Sequence, residues 1–194
     1  MVDGLLEAGF ADVGDLAGIA VVVGPGSYTG LRIGLALARG LALVDELAVV
    51  PFGSLELMAM TAAPSLPALR VALLDAGRGK LYAGAYRISG HRAEVVAEPE
   101  VVETDDIATY LDSGELAGAL VCIEDEAGRW LPASVAASAV VVEAARASVA
   151  AGAALARLAD GAGSTAESAL PVYVGGSSAR PNRNRVVRND AIIK

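Results

Sequence analysis

The run Ile19-Ala20-Val21-Val22-Val23-Gly24-Pro25-Gly26-Ser27-Tyr28-Thr29-Gly30 constrains this chain more than any other stretch. Its first five residues are apolar, mostly β-branched and without alternation, the pattern of a strand buried on both faces. Gly24-Pro25-Gly26 ends that strand with a strong turn signal. Ser27 or Thr29 offers a side-chain oxygen to cap the helix that follows, which the pattern predicts from about Gly30 to Val44. A buried strand, a tight turn and a helix in that order belong to a layered α/β fold.

The remaining elements fall on either side of a break. Leu5 to Phe10 reads as the last turn of a helix closed by Gly9, Leu47 to Val50 as a second buried strand, and Ser54 as the cap of a helix through Met60. Ala63 to Pro67, with two prolines and a serine, makes a boundary between halves. Beyond it Leu69–Asp75, Lys80–Arg87 and Ala93–Ala97 read as strands of an antiparallel meander, joined by turns at Ala76-Gly77-Arg78-Gly79 and Ser89-Gly90-His91. Thr104 caps a short helix to Leu111, Ala119–Ile123 is a buried strand, and Glu143–Leu158 is an alanine-rich helix. Three meandering strands followed by alternating helix and strand resemble the ribonuclease-H-like unit, which actin-like and sugar-kinase proteins use twice. The expected fold is therefore α/β, ribonuclease-H-like and actin-like in two halves. Residues 1–64 form a first half that lacks its opening meander, 65–174 form the second half, and 175–194 form a basic, disordered tail.

Composition narrows the function. A formal charge of −8 excludes a chain-wide basic footprint for nucleic acid. One histidine, His91, cannot supply a histidine pair for a metal, and one cysteine, Cys122, cannot form an internal disulfide. Mean hydropathy is +0.51, yet the longest apolar candidate, Leu131 to Val142, is about half of a membrane span. Glu7 and Asp3 stand where a signal peptide needs basic residues. A cytoplasmic protein without a membrane partner is expected. Cys122 is expected in the core, His91 solvated, and Asp105-Asp106 and Glu124-Asp125-Glu126 on the surface. After Ala179 five basic residues, Arg180, Arg183, Arg185, Arg188 and Lys194, face one acid, Asp190. A solvated end is the stronger reading of that tail, and contact with nucleic-acid phosphates the sharper one.

The glycine loop lies where backbone N–H groups can meet an anion. It is not a Walker A loop, since no Gly-Lys-Ser/Thr follows, and its glycine spacing is not a dinucleotide fingerprint. A tight turn that lets the helix approach the sheet is the stronger reading. In the helix Gly30, Gly34 and Ala38 recur at i, i+4 and i+8 and form one stripe. Each interior glycine costs about 1 kcal/mol relative to alanine, so close packing against another element is the expected compensation. Arg32 and Arg39 share a second face, and Ile33, Leu37 and Val44 form an apolar ridge expected to cover the sheet.

The stretch from Gly24 to Gly34, running on through Ala38-Arg39-Gly40-Leu41, closely resembles the signature of the bacterial TsaB (YeaZ) family. Ser54-Leu55-Glu56 resembles its next helix start, Asp75-Ala76-Gly77-Arg78-Gly79-Lys80-Leu81-Tyr82 its hairpin, and Leu170 to Val174 its terminal strand. Lys80 stands where the family usually has Glu. The resemblance implies a noncatalytic subunit of the machinery that adds threonylcarbamoyl to the adenosine beside the tRNA anticodon. It implies pairing with a catalytic TsaD-like paralogue through first-half helices, a TsaE-like ATPase reached through the complex, a homodimer as another assembly, and tRNA contacted indirectly. No cofactor is expected on this chain; the partner subunit carries metal, and the pathway uses threonylcarbamoyl-AMP and ATP. The expected interface is Ser27, Thr29, Gly30, Leu31, Arg32, Gly34, Leu35, Ala38 and Arg39. The family opens with a strand meander and a long helix, of which only the tail is expected here, so exposed apolar surface is anticipated. The alternative is an actin-like nucleotide-binding ATPase or phosphotransferase. It would use Gly24, Gly26, Asp75, Gly77 and Gly79, because Asp-x-Gly-x-Gly is similar to a phosphate-touching hairpin of actin-like ATPases. A turn without ligand is the stronger reading of that motif.

Overall fold

The computed structural model describes residues 15–44, 46–142, 147–165 and 168–174. The helix end expected at Leu5–Phe10 and the basic tail lie outside the described residues. The apolar run forms strand β1 (Ile19–Gly24), and the predicted helix forms α1 (Tyr28–Val44). Strand β2 (Val49–Gly53) lies parallel to β1, with Ile19 opposite Val49 and Val22 opposite Phe52. These make a two-stranded sheet. The outer edge of β2 is met by Ser164, which exchanges two backbone hydrogen bonds with Val49 at 2.8 and 3.0 Å.

The second sheet has five strands in the order β5-β4-β3-β6-β7. Strands β3 (Leu69–Asp75), β4 (Lys80–Ser89) and β5 (Arg92–Glu103) form the expected antiparallel meander. Strand β6 (Leu120–Ile123) pairs parallel with β3, and the short β7 (Val140–Val141) pairs parallel with β6. β7 went unread in the sequence because two residues carry no period. β5 runs past the expected Ala97, since a register shift near Gly84 lets pairing resume from Glu100 to Glu103.

Helix α2 (Ser54–Thr61) lies between the sheets and buries the unbroken run Leu57, Met58, Ala59 and Met60 together with Leu55, so apolar side chains leave it on more than one face. Leu55, Met58 and Ala59 pack against Ala72, Leu74 and Cys122 of the second sheet. Leu57 and Met60 pack against Val50 and Phe52 of the first. Cys122 is thus in the core as expected, and burial pushes its thiol up to about 11. The far face of the second sheet is covered by α3 (Ile107–Leu111), α4 (Asp125–Gly128) and Leu131, the last ahead of α5 (Ala133–Ala136). The alanine-rich helix α6 (Ala147–Ala159) follows β7 in sequence, yet it packs on the first sheet through Ala150, Ala153 and Ala154. His91, exposed on the β4–β5 turn as expected, also rests on α6. A Cβ at Gly152 would stand 2.8 Å from its imidazole.

Arg70 is almost fully buried without a carboxylate partner among the described residues. It donates to the carbonyls of Ala59, Ala62, Ala63, Leu66 and Pro67. Those oxygens include the open C-terminal carbonyls of α2, whose dipole favours a cation. The Ala63–Pro67 connection is therefore tied to β3 by one guanidinium. No helix among the described residues is long and apolar enough to cross a membrane.

Candidate functional site

β1 ends at Gly24, where φ is +118° and a cis peptide bond leads to Pro25. A Cβ at Gly24 would stand 2.5 Å from the carbonyl oxygen of Val172, so glycine is needed for a close backbone approach. Ser27 caps α1, its Oγ accepting from the Gly30 N–H at 3.3 Å. Thr29 is exposed in the first turn and makes no cap.

α1 turns out the opposite way from the sequence expectation. Leu31, Leu35, Ala38 and Ala42 are buried, the last three against Val21 and Val23 of β1. Ile33 is 64% exposed and Leu37 54%, so these two residues of the ridge expected to cover the sheet face outward instead, while the Val44 side chain lies outside the described residues. The helix is apolar on both stripes, and periodicity alone does not choose between them. The smaller stripe won because Ala38 and Ala42 allow a close approach to β1. Of the residues expected at an interface, Leu31, Leu35 and Ala38 are thus committed to the chain's own core. Gly30 and Gly34 remain exposed, and a Cβ at Gly34 or Gly40 would meet nothing or only the neighbouring Ser27 in the case of Gly30. The open face comprises Ile33, Gly34, Leu37, Gly40 and Leu43.

Arg32 and Arg39 do share a face, and both reach the returning segment 168–174. Arg32 donates from Nε to the Tyr173 hydroxyl at 3.4 Å and lies 3.9 Å over the Tyr28 ring. Tyr28 and Tyr173 are themselves in contact, with ring centroids 5.6 Å apart. Arg39 donates to the Ala169 carbonyl. Leu170 to Val174 forms no strand, contrary to expectation; its link to β1 is the Val172 N–H to the Val23 carbonyl at 2.7 Å. Pro171 removes one ladder donor from that segment. This clamp was not legible in sequence, because nothing local joins residues so far apart.

The second loop of interest follows β3. The Asp75 Oδ1 accepts from the Gly77 N–H at 2.6 Å. Its Oδ2 accepts from Arg129 Nη2 at 3.0 Å and from the Trp130 indole N–H at 3.2 Å. The Gly77 N–H first, then Arg129, hold this carboxyl below the usual carboxylate range. Gly77 has φ +75° and Arg78 φ +58°, so the turn runs through the left-handed region. Lys80 pairs with Glu103 at 2.6 Å across the β4–β5 ladder.

The two turns do face one cleft, of about 890 Å³. Pro25, Gly26, Ser27, Gly30 and Gly34 form one wall. Leu74, Asp75, Ala76, Gly77, Tyr82 and Glu124 form the other, and Ala20, Val21 and Val22 lie between. Gly24 and Gly79 are not in the lining. Among the described residues the lining carries two carboxylates and no basic side chain, a poor field for a phosphate. Asp75 has both oxygens engaged in holding the turn and Trp130.

Residues 1–171 match a family model described as TsaD: tRNA N6-adenosine threonylcarbamoyltransferase. The chain is 37% identical over 109 residues to the tRNA threonylcarbamoyladenosine biosynthesis protein TsaB of Escherichia coli (strain K12), covering 53% of this chain and 47% of that protein. It is 38% identical over 92 residues to the protein of the same description in Bacillus subtilis (strain 168), covering 47% and 40%. The matches thus span less than half the length of these curated relatives. In structure the chain is similar to YeaZ from Pseudomonas aeruginosa, with a TM-score of 0.75 and 25% identity over 90% of this chain and 82% of that one.

Proposed function

The chain belongs to the TsaB (YeaZ) family within the wider TsaD family, and on that premise we propose that it is a noncatalytic scaffold subunit in tRNA threonylcarbamoyladenosine formation. Its actin-like, ribonuclease-H-like architecture presents α1 to a catalytic TsaD-like paralogue. A TsaE-like ATPase and the tRNA are reached through that complex, and threonylcarbamoyl-AMP, ATP and metal are handled by other subunits. The observation that carries this reading is the outward face of α1. Ile33, Leu37 and Leu43 are more than half exposed, and Gly34 and Gly40 leave open space between them. Large apolar side chains beside small notches suit a helix from a partner. The chain's one histidine, His91, rests on α6 and does not line the cleft, which fits a docking role.

Co-expression with a TsaD-like paralogue tests the proposal. Leu37→Asp is expected to abolish co-purification while the far-ultraviolet circular dichroism spectrum stays unchanged. Retention of the complex by a folded Leu37→Asp variant would overturn it.

A further inference from the structure

The second sheet reaches toward the first through the tip of its longest hairpin. β4 and β5 turn back on Gly90 and His91, with Gly90 at φ +59°. β3 begins at Leu69 opposite Arg87, so the tip from Ile88 to Arg92 extends past the β3–β4 ladder. What it extends onto is α6, the helix that leaves this sheet and packs on the other. Ile88 and Ala93 lie against the cluster of Val50, Phe52, Ala150 and Ala153. The His91 ring rests on the helix backbone at Gly152, where a Cβ would stand 2.8 Å from its Cε1 and 2.9 Å from its Nδ1. Arg92 pairs with Asp160, just past the end of α6. Gly152 and Asp160 are i and i+8, about 12 Å apart along the helix. The tip therefore grips α6 at two separated points.

Sequence and packing agree at the first of these points. α6 is rich in alanine, the best helix former, yet it carries a glycine in its interior. The imidazole leaves no room there for even a methyl group, so the helix gives up stability to admit the turn. The second point is of a different kind. The Arg92 and Asp160 side chains are 65% and 44% exposed, and such a pair on its own contributes little. It acts here on a turn whose place is already set by His91. The other attachment between the sheets is α2, which meets both through apolar side chains. Packed helices of that kind slide and rotate against a sheet in small steps.

We propose that the β4–β5 turn is a clasp that holds the two sheets at a fixed angle, with His91 on Gly152 as its seat and the Arg92–Asp160 pair as its fastening. With the clasp closed, sliding at α2 is blocked, because the hairpin tip cannot move without leaving both Gly152 and Asp160. With it open, α2 becomes the pivot and the angle between the sheets varies. The fastening lies at the surface, so its two charges can be exchanged without burying either. Every part of the clasp is separate from the outward face of α1 and does not rest on docking there.

The test measures the distance between the two halves in the full chain by pulsed electron paramagnetic resonance. Spin labels are placed at Thr29→Cys on α1 and Asp112→Cys after α3, both exposed positions, while the native Cys122 is buried. The labelled chain with the clasp intact is expected to give one narrow distance distribution. Arg92→Glu, which sets two acids against each other, and Gly152→Leu, which unseats the ring, are each expected to broaden it about twofold or more. Arg92→Glu combined with Asp160→Arg is expected to narrow it again, with the far-ultraviolet circular dichroism spectrum unchanged throughout. The proposal is overturned if the distribution is broad with the clasp intact, or if Arg92→Glu leaves it as narrow as before, since α2 alone would then set the angle. It is also overturned if the exchanged pair is as broad as Arg92→Glu alone.

Discussion

Arg157 of α6 closes on Glu56 at the start of α2, tying the last described helix to the element between the two sheets. The guanidinium lies 4.0 Å over the Phe52 ring and also donates to the Pro51 carbonyl at 2.7 Å. The second Glu56 oxygen accepts from the Gly53 N–H at 3.2 Å, so Gly53 and not Ser54 stands at the helix cap. Burial raises the Glu56 carboxyl above its usual range despite the cation beside it. Arg157→Met is expected to cost about 2 kcal/mol, because it strands a largely buried carboxylate while leaving the aliphatic stem in place. Glu56→Gln keeps an acceptor for Gly53 and is expected to cost less. Urea denaturation of both variants and of the double variant checks this, with the two losses failing to add.

Arg70 gives a second prediction, from a cation that has carbonyl partners only. Removing it leaves buried oxygens of the α2 end and the Ala63–Pro67 connection without donors. Arg70→Met is expected to lose about 3 kcal/mol or more. Arg70→Lys is expected to rescue little, because a compact ammonium cannot span the carbonyls that the planar fork reaches. Equal midpoints for the wild-type chain and Arg70→Lys in urea would contradict this account.

Asp75 predicts a pH dependence whose sign follows from its hydrogen bonds. Its carboxyl is held below the usual range in the folded chain, first by the Gly77 N–H and then by Arg129. A depressed folded value means that the stabilisation is fully present above the unfolded pKa, about 3.9. It is lost as the pH falls through the folded value. Asp75→Asn retains the turn acceptor and loses the charge, so it is expected to cost about 1 kcal/mol at pH 7, given that Arg129 is more than half exposed. The gap from wild type should close progressively below about pH 4. Trp130 fluorescence reports the same change, since its indole N–H donates to Asp75.

Local signals carried much of the fold. The β-branched run, the Gly-Pro-Gly turn and the 3.6-residue periodicity fixed β1, the loop and α1, and the turn glycines at Gly77, Gly79 and Gly90 placed the meander. The two loops flanking the cleft were also named from sequence. What stayed hidden depends on distant pairing. Which stripe of α1 is buried was decided by how closely Ala38 and Ala42 let it approach β1, a property of the assembled pair. The roles of Arg32 and Arg39 depend on Tyr173 and Ala169, far along the chain, and the return of α6 to the first sheet depends on its alanines packing with Val50, Phe52, Leu57 and Met60 while Gly152 makes room for His91 of the β4–β5 turn. Small residues mark close approach, but they do not say to which neighbour.

The glycines on the open face of α1 separate stability from docking. Gly40 lies in the interior of the helix, and a Cβ there would meet nothing within 4 Å. In the isolated chain Gly40→Ala should therefore remove the conformational cost of glycine and stabilise by about 0.5–1 kcal/mol. If Gly40 is kept as a notch for a partner helix, the same methyl group should weaken the complex with a TsaD-like paralogue. The expected result is a higher Tm for Gly40→Ala alone together with a lower retained fraction on co-purification. A variant that raises Tm and binds the paralogue as well as wild type would show that the notch is not used. The helix would then dock, if at all, through Ile33 and Leu37 without close backbone approach, and Leu37→Asp would be the substitution that still separates the two cases.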